Sequence, residues 1–250
     1  GATLTIDNGD GTYTANVNTP EAIAAMEYVK SLKWDYDVLT PDPTSEDWGT
    51  GFTNLGTGTA AMYIAANDAI NQPTQVYGLP VDKIAMCALP AGPNGEQYSL
   101  SGGTPYMFSK DATKEEINAA LDYLEIMGKA PVASANAIAG MKADAESKIA
   151  NGVPVIKRFP CWIKDDVLAA EADIIKEYGN VDPKMFESYF EVTSEGGNLR
   201  MEEPGSAQDL YAELTKVLQA VITDKNTDVA SSMKIANDNY QLILDSLFTK

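Results

Sequence analysis

The feature that most constrains this 250-residue chain is its C-terminal stretch, where two apolar stripes follow one another at helical spacing. Leu210, Leu214, Val217, Leu218, Val221 and Ile222 make the first, and Val229, Met233, Ala236, Tyr240, Ile243 and Leu244 the second. A helix with one apolar face is stable only when that face is covered. The chain must therefore close with two long helices packed on something upstream.

Upstream, the pattern changes period several times. Leu4 and Ile6, then Tyr13, Ala15 and Val17, alternate around DNGDG and predict a hairpin. Thr19-Pro20-Glu21 opens a helix with a hydroxyl cap and proline in the first turn, carried by Ala22, Met26, Val29 and Lys33 or Leu32 to about Trp34. Trp48, Phe52 and Leu55 mark a short helix ending at Gly56. The apolar runs AAMYIAA, KIAMCAL and YMFS read as strands. Thr113-Lys114-Glu115-Glu116 is a capping box whose helix is expected to bury Ile117, Ala120, Leu121, Leu124 and Met127. Residues 130–149 are small and helix-permissive, NGVPVIKRFPCW is an extended connection, and helices follow at about 165–178 and 182–191. The expectation is a mixed α/β fold, helix-rich towards the C-terminus.

Composition excludes several functions. Acids outnumber bases 36 to 18, for a net charge of −18, and no basic patch interleaved with aromatics exists, so nucleic acid would be repelled. There is no histidine, which removes imidazole bases, His-dependent triads and most zinc sites. Cys87 and Cys161 both lie in apolar segments and read as two buried free thiols rather than a disulfide, which is the alternative. No cofactor is expected.

The short motifs mostly fail in context. DNGDG lacks calcium-loop spacing: counted from Asp7, the third and fifth positions are glycine and the twelfth is Asn18. Gly56-Thr57-Gly58-Thr59-Ala60-Ala61 has the shape of a dinucleotide loop but the wrong neighbours, a helix before and a strand after, and reads as a helix stop. Ser231-Ser232-Met233-Lys234 matches a serine-acylase motif without its partners and reads as the first turn of the last helix. LSGGTPYMF has no Gly-Lys-Ser/Thr ending for a phosphate cradle, yet two adjacent glycines are conformationally costly. Its bareness suggests a wall that a ligand approaches closely.

The order of elements is more specific than any one motif. DW with its short helix, GTAAMYIAAND, CALPAGPNG, LSGGTPYMFSK and the capped TKEEINAALDYLEIM resemble the C-terminal half of the family 1 extracellular solute-binding proteins of ABC importers, the maltodextrin-type carbohydrate receptors. GVPVIKRFPCW and NLRMEEPGSAQDLYAELTKVLQAVITDKNTDV resemble the closing segments of the lipoprotein members. The resemblance implies a type II periplasmic-binding-protein-like, two-lobed α/β receptor that closes on a sugar without chemistry and docks to ABC permease subunits. It would work at the extracellular face of the membrane, lipid-anchored, or in the periplasm. Because such receptors are usually longer, it also implies a truncated chain. Residues 1–100 are then C-terminal-lobe α/β, 101–150 a cleft or hinge loop with a returning N-lobe segment, and 151–250 the closing helices of the C-terminal lobe.

Carried over position by position, the resemblance points to Trp48, to Asn67 and Asp68 after the MYIAA run, to the loop Ser101, Gly102, Gly103 and Thr104, and to Tyr211 and Trp162. Aromatic faces stack on the apolar face of a pyranose while amides and carboxylates fix its hydroxyls. Trp48 equally fits a core stripe with Phe52 and Leu55, and Asp68 a helix cap. A carboxylate-based glycan hydrolase and a non-catalytic interaction domain are the competing readings.

Overall fold

The computed structural model describes residues 2–103, 105–157, 159, 162–193 and 198–248, without the side chain of Asp68. In chain order the elements are β1 (Thr5–Asp7), β2 (Tyr13–Ala15), α1 (Pro20–Trp34), α2 (Trp48–Thr57), α3 (Asn71–Gln75), β3 (Ser99–Leu100), α4 (Lys114–Ile126), α5 (Ala135–Ala150), α6 (Asp165–Tyr178), α7 (Glu187–Thr193), β4 (Leu199–Arg200), α8 (Ala207–Thr223) and α9 (Val229–Leu247). They fall into two compact units built from non-contiguous stretches, 1–47 with 89–102 and 198–250, and 48–88 with 103–197. The contiguous ranges expected from the sequence do not follow this division, since residues 1–100 are shared between both units.

In the first unit β1 and β2 form the expected antiparallel hairpin, with Thr5 opposite Ala15 and Asp7 opposite Tyr13. Its turn uses the acids locally: Asp7 accepts from Gly9 N–H and Asp10 from Thr12 N–H. The α1 cap is as read, Thr19 accepting from Ala22 N–H with Pro20 at the helix start. The α8 and α9 stripes meet Val17, Ala15 and Ala22 in one core, in which Leu210, Val221 and Tyr240 are fully buried. One stripe residue is misplaced: Leu218 is exposed, and Glu213 is buried instead. The C-terminal end of α1 is tied down by Trp34, whose indole N–H donates to Val221 O at 2.7 Å, and by Lys30, which donates to Thr227 O at 2.7 Å. A short parallel pair, β3 with β4, sets Ser99 beside Leu199 and Leu100 beside Arg200.

The second unit is helical throughout its regular elements among the described residues. The capping box of α4 is complete, Thr113 and Glu116 each accepting from the other's backbone N–H. None of its residues is buried, and Leu121 and Met127, expected inside, are exposed. Ser134 caps α5, whose Ala137, Met141 and Ala145 are buried. Met141 and Ala145 pack with Val155, Val167 and Ile174 in one core cluster. Small residues let α5 approach closely: a Cβ on Gly140 would stand 2.0 Å from Ile126 O. A second cluster joins Ile70, Ile84 and Phe186.

Three strand expectations fail. Residues 60–66, 83–89 and 106–109 form no strand, and Met62, Ile64 and Met107 are strongly exposed. A strand exists only through hydrogen bonds to a neighbour, which an apolar sequence favours but cannot supply. The helix α2 also runs one turn position further than read, through Thr57, and stops at Gly58 with φ of 78° rather than at Gly56. Cys87, expected buried, is exposed; Cys161 lies outside the described residues.

Candidate functional site

The sequence of α2, WGTGFTNLGT, is poor helix material, since each interior glycine costs up to about 1 kcal/mol relative to alanine. The structure shows why glycine stands there. A Cβ on Gly51 would lie 2.2 Å from the Tyr63 ring, and one on Gly56 would lie 2.6 Å from Tyr77 Cβ. Two tyrosines thus lie directly on the helix surface. Tyr77 adds a hydroxyl contact with Thr53 at 2.7 Å.

Because Tyr63 can settle on Gly51, three rings meet edge to face. Trp48 and Phe52 have centroids 5.1 Å apart, Phe52 and Tyr63 5.7 Å, and Trp48 and Tyr63 6.1 Å. Edge-to-face pairs are favourable because the positive ring edge meets the negative face. Phe52 is the core member, while Trp48 is 53% exposed. The arrangement is an indole held from one side and open on the other. An open ring face of this kind is chemically suited to packing against a flat apolar surface.

The other expected residues are distributed more widely. Asn67 is exposed at the start of a short 3-10 turn, Asn67–Ile70, and the Asp68 side chain and Thr104 lie outside the described residues. Ser101 N–H is not available to a ligand, because it donates to Arg200 O at 2.7 Å and prolongs the β3–β4 pairing. Gly102 and Gly103 are exposed, with nothing near the position of a Cβ and no left-handed φ. Neither backbone strain nor packing therefore requires glycine there. Tyr211 is half-buried on α8, its hydroxyl 3.2 Å from Glu202 Oε1; burial, and then the Glu202 charge, push its phenol pKa up. Trp162 is 40% exposed, and its indole N–H donates to Lys129 O at 2.9 Å.

Tyr63, Tyr106 and Lys129 escaped the sequence reading. Tyr63 sat inside an expected strand, and the only hint of its role was the pair of glycines in a helix twelve residues upstream. Among the described residues no group of His, Cys, Asp and Glu could hold a metal ion. A groove of about 500 Å³ between α5 and α6 has no aromatic in its lining and is crossed by the Lys142–Glu177 ion pair at 3.1 Å. It has none of the features of the Trp48 surface.

Comparison with known families shows what class of protein this is. The model of the bacterial extracellular solute-binding proteins matches residues 1–133, more than half of the chain, and the chain belongs to that family. No curated protein matches it. Membership carries a periplasmic-binding-protein-like fold, a solute-binding role for an ABC importer and a place outside the cytoplasm. Among the described residues no helix is long and apolar enough to cross a membrane. The matched region contains Trp48, Asn67, Asp68 and the Ser101–Thr104 loop; Trp162 and Tyr211 lie beyond it.

Proposed function

We propose that this chain binds a carbohydrate and delivers it to membrane permease subunits, binding without chemical turnover. The observation that carries the reading is the Trp48 ring, half exposed and buttressed by Phe52 and Tyr63. Burying the apolar face of a pyranose on such a ring is favourable, and a ring already fixed loses little freedom on binding. Asn67, Asp68, the Ser101–Thr104 loop, Trp162 and Tyr211 are the proposed further contacts. In this reading the protein is held at the extracellular face of the cell membrane by a lipid anchor or works in the periplasm.

A glycan hydrolase needs a carboxylic acid whose pKa is raised. Asp42, Glu116, Asp166 and Asp238 are instead held below the ordinary carboxylate value by hydrogen bonds. In Glu213 burial opposes, but the Lys216 and Asn239 hydrogen bonds prevail and the result is again a lowering. Turnover is therefore the poorer reading of these acids.

The test is a thermal-unfolding panel of neutral and acidic oligosaccharides, with peptides and polyols as controls. A ligand at 100 times its Kd stabilises the folded state by about 2.7 kcal/mol and raises the midpoint measurably. A shift with at least one oligosaccharide is expected. A panel in which only peptides or polyols shift the transition, or in which nothing does, overturns the carbohydrate reading.

A further inference from the structure

A second group of aromatics lies in the same unit and shares no residue with the Trp48 cluster. Lys129 stands just beyond the end of α4, its backbone N–H donating to Leu124 O at 2.9 Å. Its ammonium donates to the Tyr106 hydroxyl at 2.7 Å while standing 5.0 Å from the ring centroid. The cation thus sits at the hydroxyl end of the ring. Its backbone carbonyl accepts the Trp162 indole N–H at 2.9 Å. One lysine therefore joins the loop after Gly103, the end of α4 and the segment after residue 161. The two rings remain 51% and 40% exposed.

That lysine has no carboxylate beside it among the described residues. Lys83, Lys110, Lys142, Lys148, Lys216 and Lys234 each meet a carboxylate within 4 Å. Among the described residues Lys129 meets none, as is also true of Lys30, Lys33, Lys114 and Lys157; what sets it apart is that its ammonium and its carbonyl hold two exposed aromatic side chains together. Its ammonium retains donor capacity beyond the one phenol. We infer that Tyr106, Lys129 and Trp162 form a binding subsite for an acidic sugar, a uronate whose carboxylate pairs with Lys129 while its ring lies against Trp162 or Tyr106. A single lysine suits one carboxylate; phosphate recognition favours arginine forks or several converging donors. At physiological ionic strength charges beyond about 8 Å are largely screened, so the local cation counts for more than the net charge of the whole chain. This inference rests on the carbohydrate reading and narrows its substrate class.

The test is calorimetric titration with trigalacturonate and with its fully methyl-esterified form, which keeps the rings and removes the charge. The acid is expected to bind on the order of tenfold more tightly than the ester, the scale of one charge-assisted hydrogen bond. Lys129→Met should abolish that preference and leave the ester unaffected, and Trp162→Phe should remove the fluorescence change on binding. Equal binding of acid and ester, or an acid preference that survives Lys129→Met, overturns the subsite. If neither uronate form binds while a neutral oligosaccharide still stabilises the protein through Trp48, this inference fails and the carbohydrate reading stands. If no sugar of either kind binds, both fall.

Discussion

Gln241 on α9 completes the outer edge of β2 by pairing with Ala15: its Oε1 accepts Ala15 N–H at 2.7 Å, and its Nε2 donates to Tyr13 O at 3.3 Å. One turn earlier Asn237 accepts Val17 N–H at 2.8 Å. Two amide side chains of a helix thus take the place of a neighbouring strand. A two-stranded hairpin is marginal alone, and here the helix satisfies backbone groups left over on its second strand.

Removing either amide should cost more than an ordinary surface hydrogen bond, because Val17 is fully buried and its N–H would find no water. Asn237→Leu and Gln241→Leu are each expected to lower unfolding stability by about 1–3 kcal/mol. Urea denaturation followed by far-UV circular dichroism checks this: the midpoint should fall with an unchanged slope. A midpoint equal to that of the unmodified protein would show the edge to be satisfied by solvent.

Gly51→Ala should disturb the aromatic cluster although alanine is the better helix former. The added Cβ would sit 2.2 Å from Tyr63 Cζ, so the ring must leave. The near-ultraviolet circular dichroism of the Trp48–Phe52–Tyr63 group should weaken, and sugar affinity should fall with it. Retained near-ultraviolet bands would mean the ring accommodates the methyl in place.

Trp48→Ala separates binding from folding. With half its surface exposed, Trp48 should contribute about 1–2 kcal/mol to stability, below the 3–5 kcal/mol typical of a fully buried ring. Its loss should reduce oligosaccharide affinity at least tenfold while thermal unfolding without ligand stays cooperative. Unfolding of the variant at room temperature would instead make Trp48 a core residue.

Acid should destabilise the protein in part through Glu213. Burial raises its pKa, but the hydrogen bond from Lys216, the hydrogen bond from Asn239 and the Lys216 charge together hold it below the ordinary 4.5. A carboxylate with a lowered folded-state pKa adds stability above the unfolded value and loses it as pH falls through the folded value. Stability measured by urea titration should therefore decline below about pH 4.5, and Glu213→Gln should flatten that decline. An identical pH profile in the variant would assign the acid sensitivity elsewhere.

Helix boundaries were largely legible in the sequence because their signals are local. Thr19-Pro20, Thr113 with Glu116 and the stripes of α8 and α9 act within one or two turns, and each element appears where it was expected. The hairpin was legible for the same reason. AAMYIAA, KIAMCAL and YMFS form no strand because a strand needs a paired neighbour remote in sequence; among the described residues these segments join no sheet, and KIAMCAL has only a single backbone bond to a remote segment, from Met86 N–H to Met185 O. The candidate site divides likewise. Trp48 could be named from a resemblance, but its exposure and the support of Tyr63 could not. The meeting of Tyr106, Lys129 and Trp162 left no trace at all in sequence spacing.

The sequence by itself determined the helices, their caps, the absence of imidazole chemistry and the acidic surface, because propensity, capping and charge belong to residues and their near neighbours. Only the tertiary structure decided which aromatics are buttressed, which glycines make room for rings, and which lysine meets a phenol and an indole. Those are contacts between distant segments, set by packing, and no local pattern encodes them.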